Sequence, residues 1–445
     1  MMNGMKQTPS GERIHIAFFG RRNVGKSSLM NAFTGQELSV VSATAGTTTD
    51  AVYKAMELLP LGPVVLIDTP GLDDTGELGE KRIGKARQVM RKTDIAIVVA
   101  DGTVPFGEAE EELISEFERR QIPWLLVYNK EDLAERFPED DKKDIPKELS
   151  KDDKADLAKR LSQNDKADLS ERFQEDRKED LSEKGRYAEK VLRVSARTGF
   201  HIHELKERVA ALLPKEEEER PLIGDLLSTG DTMVLVVPID KGAPKGRLIL
   251  PQQQMIRGIL EAGAFSLVCR DTELEETLRK LVSPPKLVIT DSQVFDRVNR
   301  ILPESVPLTS FSILMARYKG DLALLAAGAA AVEQLRHGDQ VLICEGCTHH
   351  RQCEDIGTVK LPNLIRRYTK VEPDFLFTSG TEFPTDVSSY KMVVHCGGCM
   401  LNRREVMYRL NCCREQGVPV TNYGVLIAYL NGILERATRI LEPFR

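Results

Sequence analysis

Eight residues near the start of the chain, Gly20-Arg-Arg-Asn-Val-Gly-Lys-Ser27, follow the spacing G-x-x-x-x-G-K-S of a phosphate-binding P-loop. Backbone N–H groups of such a turn, with the positive end of the helix behind it, cradle phosphate oxygens. Gly20, Asn23, Val24, Gly25, Lys26, Ser27 and Ser28 form the expected cradle. Lys26 neutralises the β- and γ-phosphates, and the Ser27 hydroxyl reaches Mg2+. Four more motifs follow in order. Ala45-Gly-Thr-Thr-Thr-Asp50 offers a threonine that can bind Mg2+ and sense the γ-phosphate, Thr48 first and Thr47 beside it. Val64-Val-Leu-Ile-Asp-Thr-Pro-Gly71 ends in D-x-x-G, where Asp68 holds Mg2+, directly or through water, and the Gly71 N–H meets the γ-phosphate. Trp124 to Asp132 ends in N-K-x-D, from Asn129 and Lys130 to Asp132. Asp132 can accept hydrogen bonds from guanine N1–H and N2–H2, a donor pair that adenine lacks. Val194-Ser-Ala-Arg-Thr-Gly199 supports the base through Ser195 and Ala196. GTP with Mg2+ is therefore the expected ligand, with Lys26, Thr48, Asp68 and Gly71 acting on the γ-phosphate.

A second chemistry lies at the other end of the chain. Seven of the eight cysteines fall between Cys344 and Cys413. Cys347-Thr-His349 and His395-Cys-Gly-Gly-Cys399 make Cys347, Cys396 and Cys399 the best thiolates for a shared site, with His349 and His395 as further candidate ligands. This set suits Zn2+ or an iron–sulfur cluster. Zinc commonly takes four closed ligands from tighter knuckles, whereas three cysteines with histidines nearby favour a cluster with one exchangeable position. Cys269, Cys353, Cys412 and Cys413 read as structural.

The elements that must position these residues are legible as alternating patterns. Ile14–Phe19 is an apolar strand entering the P-loop, and the later nucleotide motifs each follow an apolar strand, as ligand sites of an open α/β sheet do. After the charged linker Lys215–Pro221, strands at 233–238, 265–269 and 287–290 alternate with helices at 254–261 and 273–281. A helix at 320–336, strands at 340–343 and 391–394, a helix at 402–416, a strand at 418–422 and a helix at 425–441 repeat that logic. Both cysteine clusters thus fall just past strand carboxyl ends. The fold class is α/β: a P-loop GTPase domain (11–214), then two smaller α/β domains with mainly parallel sheets (222–306 and 308–445). Between Asp132 and Ser195 a twelve-residue unit repeats from Asp132, Asp144, Asp156 and Asp168. Residues 138–184 hold 16 acidic and 12 basic residues out of 47, which marks a charged insertion with no sustained apolar seam.

Bulk properties narrow the class. A chain of 445 residues, 41% hydrophobic and 29% charged, implies several globular domains. Its net charge of −6 gives no reason to expect a nucleic-acid partner. No apolar run has the length of a membrane span, so a cytoplasmic protein is expected, where disulfides are disfavoured.

The first domain resembles GTPases of the Era, Der and MnmE type. In that group an asparagine at the place of Asn23 helps bind K+, which supplies positive charge where others use an arginine finger. Leu72 stands where a water-orienting glutamine would follow Gly71, and Glu77 and Glu80 are candidates to orient water instead. The whole chain resembles the [FeFe]-hydrogenase maturation GTPase HydF family. The resemblance rests on the P-loop GTPase followed by Cys347-Thr-His-His350, His395-Cys-Gly-Gly-Cys-Met-Leu-Asn402, Leu308-Thr-Ser-Phe-Ser-Ile-Leu-Met-Ala-Arg317 and Thr421-Asn-Tyr-Gly424. The twelve-residue repeat is the main departure. The family implies a GTPase domain, a dimerisation domain and a domain with a [4Fe-4S] cluster on Cys347, Cys396 and Cys399, its fourth position labile. It implies a homodimeric scaffold that receives a diiron precursor made with two radical-SAM maturases and delivers it to the apo-[FeFe]-hydrogenase. Two rival readings are a ribosome- or tRNA-directed GTPase with a zinc domain, and a redox enzyme with a regulatory nucleotide domain. The first calls for a basic nucleic-acid face and the second for acid–base residues in a substrate pocket, neither of which the sequence offers.

Overall fold

The computed structural model describes residues 9–35, 51–71, 77–104, 106–133, 188–213, 221–239, 248–346, 355–380 and 382–441. They fall into two compact units, Ile14–Pro214, and Met1–Arg13 with Lys215–Arg445. The charged insertion lies outside the described residues.

The first unit is built on six strands: β1 (Ile14–Phe19), β2 (Val52–Leu58), β3 (Gly62–Asp68), β4 (Ile95–Asp101), β5 (Trp124–Asn129) and β6 (Val191–Arg193). Their order is β2-β3-β1-β4-β5-β6, with β2 antiparallel and the rest parallel. The central strands are apolar at almost every position because both faces are covered. Ile16 and Phe18 face the helices α1 (Lys26–Thr34) and α4 (Ile202–Ala211). Ala17 and Phe19 face the opposite core, which includes Val89 and Met90 of α2 (Glu77–Arg91) and Leu113, Ile114 and Phe117 of α3 (Glu108–Arg119). The motif-bearing ends of β1, β3, β5 and β6 therefore share one edge of the sheet, with Phe18 registered against Asp68.

The second unit holds two four-stranded parallel sheets. One has the order β10-β9-β7-β8, from β7 (Thr232–Val236), β8 (Phe265–Cys269), β9 (Leu287–Thr290) and β10 (Leu308–Ser310). The other has the order β12-β11-β13-β14, from β11 (Gln340–Cys344), β12 (Asp374–Thr378), β13 (Met392–His395) and β14 (Val420–Asn422). Helices α5 (Leu250–Glu261), α6 (Leu274–Lys280), α7 (Phe295–Ile301), α8 (Phe311–Lys319), α9 (Leu322–Ala329), α10 (Leu361–Thr369), α11 (Arg403–Glu415), α12 (Tyr423–Leu430) and α13 (Leu434–Thr438) complete it. One continuous hydrophobic core runs from Ile223 to Leu441.

Several expectations are modified. The expected boundary near residue 307 cuts off β10, which pairs with β9 in the middle sheet. Gly11–Arg13, placed with the GTPase by the 11–214 boundary, belong to the second compact unit. The helix expected over 425–441 breaks after Leu430, because Gly432 adopts a left-handed φ of 69° that ends the turn. The helix expected over 320–336 is α9 followed by a 3-10 turn, Ala330–Gln334. Strands β2 and β12 were not anticipated. Both lie at sheet edges and are largely exposed, so neither carries the unbroken apolar run of a buried parallel strand. Among the described residues no helix is long and apolar enough to cross a membrane.

Candidate functional site

The P-loop closes tightly between β1 and α1. Gly20 has φ 145°, and a Cβ there would sit 2.2 Å from the Val99 carbonyl oxygen. Gly25 has φ 89°, and a Cβ there would meet Asn129 Nδ2 at 2.4 Å. Asn23 is exposed at the loop tip in the left-handed region, φ 65°, which asparagine tolerates. Val24 is buried, and Ser28 lies half-buried in the first turn of α1. Lys26 is itself buried, and its Nζ donates to the carbonyls of Gly20 (3.0 Å) and Arg21 (2.7 Å).

Ser27 and Asp68 meet directly, the Ser27 hydroxyl donating to Asp68 Oδ2. The other carboxylate oxygen of Asp68 is buried with no hydrogen-bond partner among the described residues. Burial pushes the Asp68 carboxyl above the usual carboxylate range, more than the Ser27 hydroxyl and Lys26 pull it down. An orphaned carboxylate oxygen beside a hydroxyl is an all-oxygen donor pair, and it fits Mg2+. At Gly71 a Cβ would lie 3.0 Å from the Arg22 nitrogen, so the D-x-x-G turn passes close over the P-loop. Thr47 and Thr48 lie outside the described residues, as do the side chains of Glu77 and Glu80.

The base end is organised by side chains that link three loops. Asn129 donates from Nδ2 to the Val24 carbonyl (3.0 Å) and accepts the Ala196 N–H at Oδ1 (3.0 Å). The Ser195 hydroxyl donates to Asp132 Oδ1 at 2.6 Å and accepts the Thr198 N–H, which orients the carboxylate. Lys130, in a left-handed conformation (φ 66°), pairs with Asp101 at 2.6 Å. Two supports carried no sequence motif. Asp101 ends β4, and Glu110, fully buried, holds Arg21 Nε at 2.7 Å while accepting the Gly107 N–H.

The cysteine region forms where β11 and β13 run side by side, with Cys344 registered against His395. The Cys396 N–H donates to the Cys344 carbonyl at 2.8 Å. The Cys396 sulfur accepts N–H groups from Gly346 (3.0 Å) and Gly398 (3.4 Å). Gly398 has φ 66°, which lets the loop double back on that sulfur. Cys396 and Cys399 are half-buried, and Gly346 directly precedes Cys347. Burial pushes the Cys396 thiol up to about 11 and raises Cys399 as well. Cys347 and His349 lie outside the described residues, and among the described ones no three His, Cys, Asp or Glu side chains converge on one point. The donor chemistry still fits a cluster: the two backbone N–H groups at the Cys396 sulfur offset part of the burial that disfavours a thiolate, and a bound metal would favour the thiolate further. Cys344 and Cys413 are fully buried and pushed up to about 12 by burial, as structural thiols are.

His395 takes a different part from that expected. Its Nδ1 lies 2.7 Å from the Cys396 carbonyl, and its Nε2 lies 3.1 Å from the Arg409 guanidinium. Arg409 can only donate, so Nε2 accepts and Nδ1 carries the proton. Burial, with the Arg409 charge, pushes the ring's pKa down to about 3, so the ring is neutral near pH 7. Both nitrogens are thus engaged by the protein, and His395 braces the Cys396 backbone. Arg409 is buried too, bound to Glu405 (2.8 Å) and the Gly380 carbonyl (2.7 Å). Neither Arg409 nor Glu405 stood out in the sequence, where an i, i+4 Glu–Arg pair reads as an ordinary surface pair.

The first unit is thus a P-loop GTPase domain, and two small parallel α/β sheets follow it. A model described as 50S ribosome-binding GTPase matches residues 15–130. Models described as Hydrogen maturase F dimerization domain and Hydrogen maturase F tetramerization domain match residues 222–320 and 323–440. The chain belongs to the HydF family. Two similar curated proteins align with less than a third of this chain, and the chain spans less than a third of their length. The GTPase Der of Sulfurimonas denitrificans is 36% identical over 28% of this chain and 25% of its own length. The tRNA modification GTPase MnmE of Bordetella petrii is 35% identical over 28% and 27%. A solved structure of Era from Aquifex aeolicus aligns at TM-score 0.32 and 18% identity, over 57% of this chain and 92% of that one.

Proposed function

We propose that the protein is a GTP-hydrolysing scaffold and carrier for [FeFe]-hydrogenase maturation. In this reading it holds a [4Fe-4S] cluster on Cys347, Cys396 and Cys399, takes up a diiron precursor made with two radical-SAM maturases, and delivers that cargo to the apo-hydrogenase. The observation that carries the cluster reading is the pair of backbone N–H groups aimed at the Cys396 sulfur. The family descriptions of dimerization and tetramerization domains support a homodimer that can assemble further. A reducing cytoplasm suits a site built on thiolates. Neither nucleic acid nor membrane has a part in this reading.

For GTP, Asp132 pairs with the guanine edge while Ser195 holds its carboxylate and the Ala196 backbone supports the base. Lys26 exchanges the Gly20 and Arg21 carbonyls for phosphate oxygens. Ser27, Thr48 and Asp68 hold Mg2+, which neutralises the phosphate charge. The Gly71 N–H reports the γ-phosphate, and Thr47 lies beside the same switch. Asn23 offers its amide oxygen to K+, which takes the place of an arginine finger. Leu72 leaves no glutamine to orient water, so hydrolysis is slow and suits timing of partner exchange.

The test is activation of apo-hydrogenase by protein purified anaerobically from cells that carry both maturases. Wild type activates it and the Cys396→Ser variant does not. Full activation by that variant would overturn the proposal.

A further inference from the structure

Lys319, the last residue of α8, is 3% exposed. Its Nζ donates to three backbone carbonyls: Leu401 at 2.7 Å, Cys399 at 3.1 Å and Gly11 at 3.2 Å. Three acceptors around one nitrogen call for three N–H donors, so the group is an ammonium. Two of the carbonyls belong to the loop of Cys396 and Cys399. The third belongs to a 3-10 turn, Ser10–Glu12, that precedes β1 in the chain. That turn lies flat on the cysteine loop. A Cβ on Gly11 would stand 2.7 Å from the Met400 carbonyl carbon and 2.8 Å from the Leu401 oxygen, so only glycine fits. Glu12 beside it has a buried carboxyl oxygen with no hydrogen-bond partner among the described residues.

We infer that Ser10–Glu12 is a structural part of the cysteine site, clasped there by Lys319 and the bare backbone of Gly11, and that Lys319 is the positioning residue of the Cys396–Leu401 loop. A buried ammonium is costly unless carbonyl dipoles and nearby negative charge compensate it. Here the dipoles are the three carbonyls, and the nearest negative charge is the Glu12 carboxylate, to which the cysteine sulfurs add once they hold a metal as thiolates. The residue therefore fixes loop geometry and leaves one positive charge next to whatever the thiolates hold. For a bound cluster, a point on which this inference rests on the function proposed above, that charge favours the reduced state.

The experiment compares wild type, Lys319→Met, Lys319→Arg and Gly11→Ala in the full chain. Hydrogen exchange of the metal-free proteins reads the clasp without any cluster. Peptides covering 9–13 and 396–402 should exchange about tenfold faster in K319M and G11A, with distant core peptides unchanged. After anaerobic reconstitution, both variants should lose iron to a chelator several-fold faster than wild type. The midpoint potential should fall in K319M and stay near wild type in G11A and K319R. Wild-type exchange at 9–13 and 396–402 in both K319M and G11A would overturn the clasp. An unchanged potential in K319M would overturn the role of the charge. A wild-type protein that takes up no cluster would count against the proposed function, while the exchange data would still decide the clasp.

Discussion

In the proposed reading Asp132 selects guanine, and the Ser195 hydroxyl that donates to Asp132 Oδ1 aims its carboxylate. Removing the carboxylate in Asp132→Ala deletes two hydrogen bonds to a charged group, about 3 kcal/mol, and should weaken GTP binding roughly 100-fold. Ser195→Ala removes only the group that aims the carboxylate, and should cost about fivefold. Fluorescent-nucleotide titration measures both, and equal effects would place Ser195 on the nucleotide itself. Asp68 illustrates a different balance. Its folded-state pKa is raised by burial, so its stability cost is absent below the unfolded carboxylate range and grows as pH rises through the folded value. Without Mg2+ or nucleotide, Asp68→Asn should melt higher than wild type at pH 7, the gap closing toward pH 4, and should hydrolyse GTP poorly. Single-turnover hydrolysis in KCl against NaCl tests Asn23: wild type should be faster in KCl, and Asn23→Ala should lose that preference. Equal wild-type rates would remove the K+ role.

At the scale of elements, α11 is the brace of the cysteine region. Asn402 caps it by accepting the Glu405 N–H, and one turn later Arg409 reaches Glu405, His395 and Gly380 together. Arg409→Met would strand the buried Glu405 charge, cost about 3 kcal/mol, and free the Cys396 backbone from His395. Thermal melting should show the loss, and a melting point equal to wild type would mean the network is dispensable. This brace was invisible in the sequence, whereas the nucleotide motifs were plain. A P-loop or N-K-x-D is written in consecutive residues, so spacing alone reveals it. Lys319, Arg409 and Gly11 work through partners brought together only by packing, Lys319 and Gly11 being 308 positions apart. Their residue types matter less than where the sheet puts them. The same reason explains the missed strands β2 and β12, whose mixed exposure hides the period of a buried strand.

Across the whole chain, the charged insertion interrupts the GTPase motifs without separating them. Strand β6, beyond the insertion, pairs with β5 in parallel, Leu126 against Val191, and Ala196 meets Asn129. Deleting residues 140–180 leaves 20 residues between Asn129 and Val191, more than the dozen or so that a parallel connection needs. GTP hydrolysis should persist in the shortened protein, and loss of nucleotide binding would show that the insertion supports the site. The second unit carries its two sheets on one core, so the cysteine loop rests on a single packed body. In the proposed reading a guanine-nucleotide domain and a cluster-bearing domain share this chain. Anaerobic reconstitution with iron, sulfide and zinc analysis, followed by EPR of the reduced protein, tests it most directly. One [4Fe-4S] cluster per chain, lost in Cys396→Ser, is the expected result. Stoichiometric zinc with no cluster signal would contradict it.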